Sequence, residues 1–348
     1  MPAGLVTIDW TTAPTRCDEM RYDRHGFPIP VEFERPAAAQ DATDFGRVGP
    51  RLASLEQDDD AQPGRAATVP VGRQRPGAWK RWLLLAAILG GVVPAIVIPQ
   101  VLPIVREVVV QWSLKRAAEC EARSDIAGAV ADVSRAVRWL GDDADLLCMR
   151  AMLRLEKRDA PGCLEDAVQA GGIAPTAVQP WRVRALVNVV LDDADAALAA
   201  ADMVVSLSAP GDPDALNHRA YIRGLAGCDL QAAIVDIDRA IGATEEASPE
   251  MLDTRGFLLH LVGRHREAVD QLNLAITGMQ QNRRKLGLLA GRVDPVHLAC
   301  RVRGLEHGMA VMLHHRALAC REVGLEEQAK QDFEMADRKG FDPTRGIF

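Results

Sequence analysis

Small residues recur at a fixed interval of 34 positions in the C-terminal part of this 348-residue chain. Three columns of the repeat run through successive copies: Ala117, Ala151 and Ala185; Ala129, Cys163 and Ala197; and Ala136, Ala170 and Val204. The second and third columns lie seven residues apart, which is two turns and therefore one face of an α-helix. Small residues on one face let another helix approach closely. A fixed period of this length predicts stacked helix–turn–helix units.

The repeat continues towards the C-terminus, although the spacing between later copies changes. Equivalent small residues stand at Ala220, Ala233 and Ala240, at Gly256, Ala268 and Ala275, and at Ala317, Ala329 and Ala336. Apolar residues make up 48% of the chain but aromatic residues only 4%, and alanine and leucine are abundant, which favours helices over sheets. The sequence therefore predicts an all-α protein with about six repeats.

Two segments resemble the tetratricopeptide repeat (TPR) family: GFLLHLVGRHREAVDQLNLAI (256–276) and ALACREVGLEEQAKQDFEMADRKGFDP (317–343). Each has a small residue in its first helix, a glycine at the turn and two alanines seven positions apart in its second helix. The copies around 140–146 and 186–205 match less closely, because the first lacks the closing proline and the second is rich in alanine. The resemblance implies an α-solenoid of TPR-like repeats over residues 110–346, with a concave face lined by the first helices.

An insertion at residues 277–305 interrupts the period before the last repeat. Within it, Asp294-Pro295 is typical of a helix start, since proline fits the first turn of a helix. We therefore expect the first helix of the last repeat to be unusually long, from about Pro295 to Val323.

Residues 82–105, WLLLAAILGGVVPAIVIPQVLPIV, contain no charged residue. A helix of this length crosses about 30 Å of hydrocarbon, and its glycines and prolines are better tolerated in a membrane than in water. A buried core helix is the alternative interpretation. Bases without acids precede the segment, whereas bases mixed with acids follow it. This bias predicts a single-pass transmembrane helix with the N-terminus in the cytoplasm and the repeats on the opposite side.

Residues 1–79 are rich in proline, glycine, alanine and aspartate and lack a repeating apolar face, which predicts a disordered tail. Segment 21–36, RYDRHGFPIPVEFERP, is denser in apolar residues, and these alternate as in a short strand or an extended docking peptide. Its two prolines argue against a central strand. Plain disorder and a short interaction motif both remain compatible with this segment.

Arginine precedes the small residue of every first helix, at Arg116, Arg150, Arg184, Arg219, Arg255 and Arg316. Four second helices carry aspartate at one equivalent place, at Asp132, Asp166, Asp236 and Asp332. A ligand-binding ladder of arginines is one interpretation. The other is a row of structural Arg–Asp pairs between helices, which the recurrence of both partners favours, since the planar guanidinium suits a carboxylate.

Enzyme signatures are absent: the sequence has no Walker loop, no HExxH and no GxSxG. The formal net charge of −7 argues against a nucleic-acid partner. The residues that come nearest to a metal-binding set are His297, Cys300, His307, His314 and His315, but their spacing matches no known site. The alternative function is a metal-dependent envelope enzyme or accessory subunit that uses the His297–His315 region. The leading interpretation includes no enzyme activity, no cofactor and no metal.

The expected binding surface lies beside the packing columns of the first helices. Its candidate residues are Arg182, Leu186, Asn217, Tyr221, Asp253, Phe257, His314 and Leu318. The basic clamp that some TPR proteins use for C-terminal carboxylates is not recognisable, because Asp253 and Cys148 stand where basic or amide groups would help. The sequence therefore predicts a membrane-anchored scaffold whose concave face binds a protein or peptide of apolar and basic character.

Overall fold

The computed structural model describes residues 93–341, together with Trp82 and Gly90, and for residues 93–97 it describes the backbone alone. The regular structure of residues 93–341 is helical throughout. The helices are α1 (Val93–Ala122), α2 (Ile126–Leu140), α3 (Ala144–Glu156), α4 (Ala160–Ile173), α5 (Val178–Val190), α6 (Ala194–Leu207), α7 (Pro213–Leu225), α8 (Leu230–Gly242), α9 (Pro249–Leu261), α10 (His265–Gly287), α11 (Pro295–Glu322) and α12 (Glu326–Arg338).

These helices form successive helix–turn–helix repeats, with α1 and α2 as the first pair and α11 and α12 as the last. From α3 onwards, the two helices of each pair contact each other, each second helix contacts the next first helix, and neighbouring first helices contact one another. The predicted α-solenoid of about six repeats is therefore confirmed over the described part of residues 110–346.

The small residues of the repeat are the contact points between helices. Of the predicted columns, every alanine, valine and cysteine member has at most 2% of its surface exposed, from Ala117 in α1 to Ala336 in α12. Gly256, the one glycine among them, is also buried, and a Cβ placed on it would lie only 2.6 Å from the side chain of Leu272 in the paired helix. Helices approach this closely only because the residues between them are small.

The turn inside each repeat has one recurring backbone conformation. The residue seven positions after the first-helix small residue has φ between 60° and 81°, in the left-handed region. These residues are Ser124, Arg158, Asp192, Gly227, Gly263 and Gly324. Glycine adopts this conformation without a steric penalty, whereas other residues are strained there by about 1 kcal/mol. The turn geometry is thus retained even in the repeats whose sequence signal is weak.

The insertion at 277–305 lengthens two neighbouring helices and adds a short connection between them. Helix α10 continues to Gly287 and has 23 residues, and α11 has 28. Asp294 caps α11 by accepting hydrogen bonds from the backbone of Val296 and His297. The predicted long helix from about Pro295 to Val323 is confirmed, because α11 runs from Pro295 to Glu322.

The predicted tail, residues 1–79, lies outside the described residues, and so does its possible motif at 21–36. Most of the N-terminal half of the predicted transmembrane segment 82–105 also lies outside them, whereas its last residues form the start of α1. Within the described part of the chain, none of the helices combines the length and the apolar character that a bilayer span requires.

Candidate partner-binding surface

Most arginines of the predicted ladder pair with an aspartate of the second helix in the same repeat. Arg150 binds Asp166 through two hydrogen bonds of 2.8 and 2.6 Å. The pairs Arg219–Asp236 and Arg316–Asp332 are bidentate in the same way, and Arg116–Asp132 is looser at 3.5 Å. All four aspartates are buried. The interpretation as structural pairs is therefore confirmed for these four repeats.

Arg184 and Arg255 depart from this pattern because their second helices lack the aspartate. The equivalent positions are Ala200 in α6 and Gln271 in α10. Arg184 instead lies over the indole ring of Trp181, with its Cζ 4.4 Å from the ring centroid. Arg255 donates to Asp238 of the preceding repeat at 2.8 Å, in an exposed ion pair. The recurring geometry of the ladder thus belongs to the fold.

The first-helix wall, which we define as the surface that α3, α5, α7, α9 and the C-terminal half of α11 form, carries the predicted binding residues. Arg182 and Leu186 lie on α5, Asn217 and Tyr221 on α7, Asp253 and Phe257 on α9, and His314 and Leu318 on α11. The ring centroids of Tyr221 and Phe257 are 6.2 Å apart, so these two helices bring their aromatic residues together. Whether these residues bind a partner stays a prediction.

On α7 and α9 of this wall, three buried polar atoms have no hydrogen-bond partner among the described residues: Asn217 Oδ1, His218 Nε2 and Asp253 Oδ2. Their residues are at most 2% exposed. A buried polar atom without a partner costs about 1–3 kcal/mol. These atoms lie on the adjacent helices α7 and α9, which contact each other. These hydrogen-bonding groups therefore lie unsatisfied in a dry environment beneath the surface of the wall, where a new hydrogen bond is strengthened.

The ionisable groups of the wall are shifted mainly by burial. Burial, and then the positive charge of Arg182, lowers the pKa of His218 well below its usual range, so the imidazole is neutral at pH 7. Burial also raises the pKa of the Tyr221 phenol, and the Asp253 carboxylate raises it further. Tyr221 is therefore neutral at pH 7, as His218 is.

His315, which the sequence analysis did not assign to the wall, connects α11 to α9. Its Nδ1 is 3.0 Å from Asp253 Oδ1, and its ring stacks on Phe257 with centroids 4.4 Å apart. The neighbouring His314 stacks instead on Phe341 at 4.2 Å, just after the second helix of its own repeat. Adjacent residues of a helix point about 100° apart, so His314 and His315 face different neighbours. The sequence pattern alone did not show which of the two faces α9.

His314 makes stability depend on pH. Burial, and then the charges of His315 and Arg321, lowers its pKa from 6.5 to about 4. The unfolded chain therefore binds a proton that the folded chain does not, and stability falls as the pH drops from 6.5 towards 4. Such a shift is worth about 3 kcal/mol for a fully buried ring, and we expect about half of that because this ring is partly exposed.

Replacing His314 with phenylalanine keeps a ring against Phe341 and removes the titrating group. We expect the difference in unfolding free energy between pH 7 and pH 4 to shrink by about 1–2 kcal/mol relative to the wild-type chain. Denaturant titrations at both pH values, followed by circular dichroism, measure this difference. An unchanged difference would show that other groups, such as His218, carry the whole effect.

The first half of α11 extends beyond its own repeat and contacts the first two repeats. Cys300 Sγ lies 3.4 Å from the carbonyl oxygen of Ala118 in α1, although 182 residues separate them. Arg303 donates to Glu121 of α1 at 3.3 Å and also to Glu156 at the end of α3. The surface that α1 and α3 present to α11 is thus occupied by a helix of the same chain.

The outer surface carries a cleft of about 630 Å³ beside α4. It is lined by Pro161, Leu164, Glu165, Val168, Gln169 and Leu191. Val168 is 50% exposed and Leu191 is 40% exposed. This cleft is the natural control when binding to the first-helix wall is tested, because it is apolar and lies on a second helix.

The residues from His297 to His315 do not form a metal centre in the described part of the chain. Across residues 93–341, no group of three or more histidine, cysteine, aspartate or glutamate side chains is placed to hold a metal ion. Cys300 contacts the backbone of α1, and His315 contacts Asp253. The geometry therefore adds no support to the alternative of a metal-dependent enzyme.

Paired helices, buried columns of small residues, a left-handed turn in each repeat and the 34-residue period together decide the fold. The chain has the tetratricopeptide-repeat fold. No family model matches it, and no curated protein matches it.

Among solved structures, this chain is similar to a thermophilic TPR protein of Thermus thermophilus. The identity is 18%, over 49% of this chain and 91% of that chain, with a TM-score of 0.44. For a tetratricopeptide repeat protein from Parabacteroides merdae, the identity is 15%, over 67% and 94% of the two chains, with a TM-score of 0.42. For PilW, a type IV pilus biogenesis factor, the identity is 14%, over 69% and 96%, with a TM-score of 0.45.

Proposed function

We propose that this protein is a membrane-anchored scaffold whose TPR array binds a protein or peptide through the first-helix wall. The observation that carries the proposal is the group of buried polar atoms on α7 and α9 that the fold leaves without hydrogen bonds, namely Asn217 Oδ1, His218 Nε2 and Asp253 Oδ2. Packing alone does not require polar residues at these places, since their desolvation is unfavourable. A partner reaches these atoms only when the side chains that cover them move, and the hydrogen bonds that it then supplies recover this energy.

The partner carries hydrogen-bond donors beside apolar groups. Asn217 Oδ1 and Asp253 Oδ2 are both acceptors, so amide, ammonium or guanidinium groups suit them. On the same two helices, the partly exposed ring of Phe257 lies beside the buried ring of Tyr221 and offers an apolar surface near the acceptors. A peptide or protein segment with basic and apolar side chains combines both features, and the net charge of −7 favours it over nucleic acid.

The uncharged segment 82–105 anchors the array to a membrane. Its length and lack of charge support a single-pass helix, and the basic residues before it support an N-terminus in the cytoplasm with the repeats on the opposite side. Anchoring raises the local concentration of the array near membrane-bound partners, so moderate contacts suffice for high occupancy.

Site-specific crosslinking in native membranes tests the binding wall. A photoreactive phenylalanine replaces Phe257 on the wall in one full-length variant and Val168 beside the outer cleft in a control variant. We expect a defined crosslinked partner from position 257 and none from position 168, and we expect Asn217→Ala to weaken the product. A partner captured only from position 168 would place binding on the outer surface and contradict the proposal.

Membrane extraction and protease protection test the anchor. We expect the full-length chain to stay with the membrane after alkaline extraction and a variant lacking residues 82–105 to be released. We also expect the repeats to be digested by protease added on the side opposite the cytoplasm. Release of the full-length chain by alkali would remove the anchor from the proposal but leave the binding wall intact.

A further inference from the structure

The first half of α11, residues 295–308, is a helical arm that α3, α5, α7 and α9 lack. The first helices α3, α5, α7 and α9 complete their repeats with 13 residues each, whereas α11 has 28. The extra length nevertheless remains covered, because no residue from 296 to 320 is exposed. The end of the arm contacts its own repeat, where Glu306 pairs with Lys339, and its first residues lie against a surface outside that repeat.

That surface is formed by α1 and α3 and receives one face of the arm. Cys300 belongs to a buried cluster with α1 and α3 that includes Leu146, Met149 and Leu153, and the partly buried Val296 packs against this cluster. Cys300 is 1% exposed. Because they are four positions apart, Val296 and Cys300 share a helix face. Two small apolar side chains thus allow the arm to approach α1 closely.

Charge complementarity fixes the position of the arm along this surface. Arg303, seven positions after Val296 and on the same face, donates to the carboxylates of Glu121 and Glu156. The side chains of Glu121 and Glu156 are only 4% and 13% exposed, so both acids need a basic counterpart when a helix covers them. The two acids come from different repeats, and a single guanidinium joins them.

We propose that α1 and α3 form a helix-binding groove, and that its ligand is a partner helix with two small apolar residues four positions apart and an arginine three positions further on. The arm supplies this pattern from within the chain and occupies the groove until a partner helix replaces it. This inference rests on the proposed function in one respect, namely that the array binds a protein. The partner helix that binds the groove of α1 and α3 is a different ligand from the segment that binds the wall at α7 and α9.

The arm itself provides the probe. A fluorescent peptide of residues 294–308, DPVHLACRVRGLEHG, is titrated with full-length protein in mild detergent. In the variant Cys300→Asp/Arg303→Glu, the arm no longer fits the groove. We expect this variant to bind the peptide at least about tenfold more tightly than the wild-type chain, which corresponds to about 1.4 kcal/mol.

Matched controls separate recognition from nonspecific binding. A peptide carrying Arg303→Glu should not bind the variant Cys300→Asp/Arg303→Glu, which we call the released variant. Adding Glu121→Gln/Glu156→Gln to the released variant should weaken its affinity for the unchanged peptide by about tenfold or more. Equal binding of the two peptides, or no gain in a released variant that keeps its helical circular dichroism, would overturn the proposal.

Hydrogen exchange on the wild-type chain provides a second test that needs no destabilising variant. Excess peptide should speed exchange at residues 296–305, and a scrambled peptide of equal composition should not. Unchanged exchange at saturating peptide would also overturn the proposal. The photocrosslink from position 257 reports on binding at α9 and not at the groove. Absence of peptide binding together with a retained crosslink would therefore overturn this inference and leave the proposed function in place.

Discussion

Replacing Asp236 with alanine is expected to lower the free energy of unfolding by about 3 kcal/mol. The Asp236 carboxylate is only 4% exposed and accepts hydrogen bonds from Arg219 at 2.8 and 2.9 Å and from Arg223 at 2.6 Å. Alanine leaves these two partly buried guanidinium groups without their shared counter-charge. Arg219 keeps an exposed ion pair with Asp202, which limits the loss.

Arg255→Ala is the matched control from the neighbouring repeat. Its partner Asp238 is 48% exposed, and an exposed ion pair contributes about 0–1 kcal/mol. Denaturant unfolding of the full-length chain in mild detergent, followed by far-ultraviolet circular dichroism, gives both values. Similar losses in the two variants would mean that burial of the carboxylate does not decide the strength of these pairs.

The fold was predictable because its packing repeats in the sequence. Ala233, Ala240 and their equivalents face other helices in every copy, so one physical requirement appears six times at related positions. The left-handed turn was less visible. Gly263 and Gly324 indicate the turn in the sequence, whereas Ser124 adopts the same conformation without being glycine. The surrounding helix pair holds the backbone of Ser124 in this conformation.

The Arg–Asp pairs were predictable for the same reason, and the exceptions follow from single residues. Arg184 has no carboxylate partner in its repeat because Ala200 stands at the aspartate position. Arg255 pairs with Asp238 of the preceding repeat instead, because Gln271 stands at that position in its own repeat. A sequence that shows both members of a pair predicts the contact. When one member is missing, local geometry determines where the arginine goes.

The role of the insertion could not be read from the repeat. The helix start at Asp294-Pro295 predicted the length of α11, but the contacts of its first half join residues 147–182 positions apart. No recurring pattern marks Cys300 against Ala118 or Arg303 against Glu121, because each contact occurs once. The same holds for His315 and Asp253. Contacts of this kind lie outside the repeating pattern, and a single sequence does not show which residues meet.

Replacing Ala233 with leucine should also cost about 3 kcal/mol, because overpacking of a closed helix interface forces the backbones apart. Ala233 has no exposed surface and lies in α8 within a cluster that contains Ala220 and Leu258. An isobutyl group has no space in this seam. The change also shifts α8 relative to α7 and α9, so neighbouring repeats lose contacts as well.

Ala232→Leu is the control one position earlier on the same helix. Ala232 is exposed, so leucine there should change stability by less than about 0.5 kcal/mol. Both variants make the same chemical change and have similar helix propensity, and they differ only in the direction of the side chain. A loss confined to Ala233→Leu would identify close helix approach as the cause. Equal losses at both positions would instead show that the small residues are not required by packing, and the physical basis of the repeat pattern would have to be sought elsewhere.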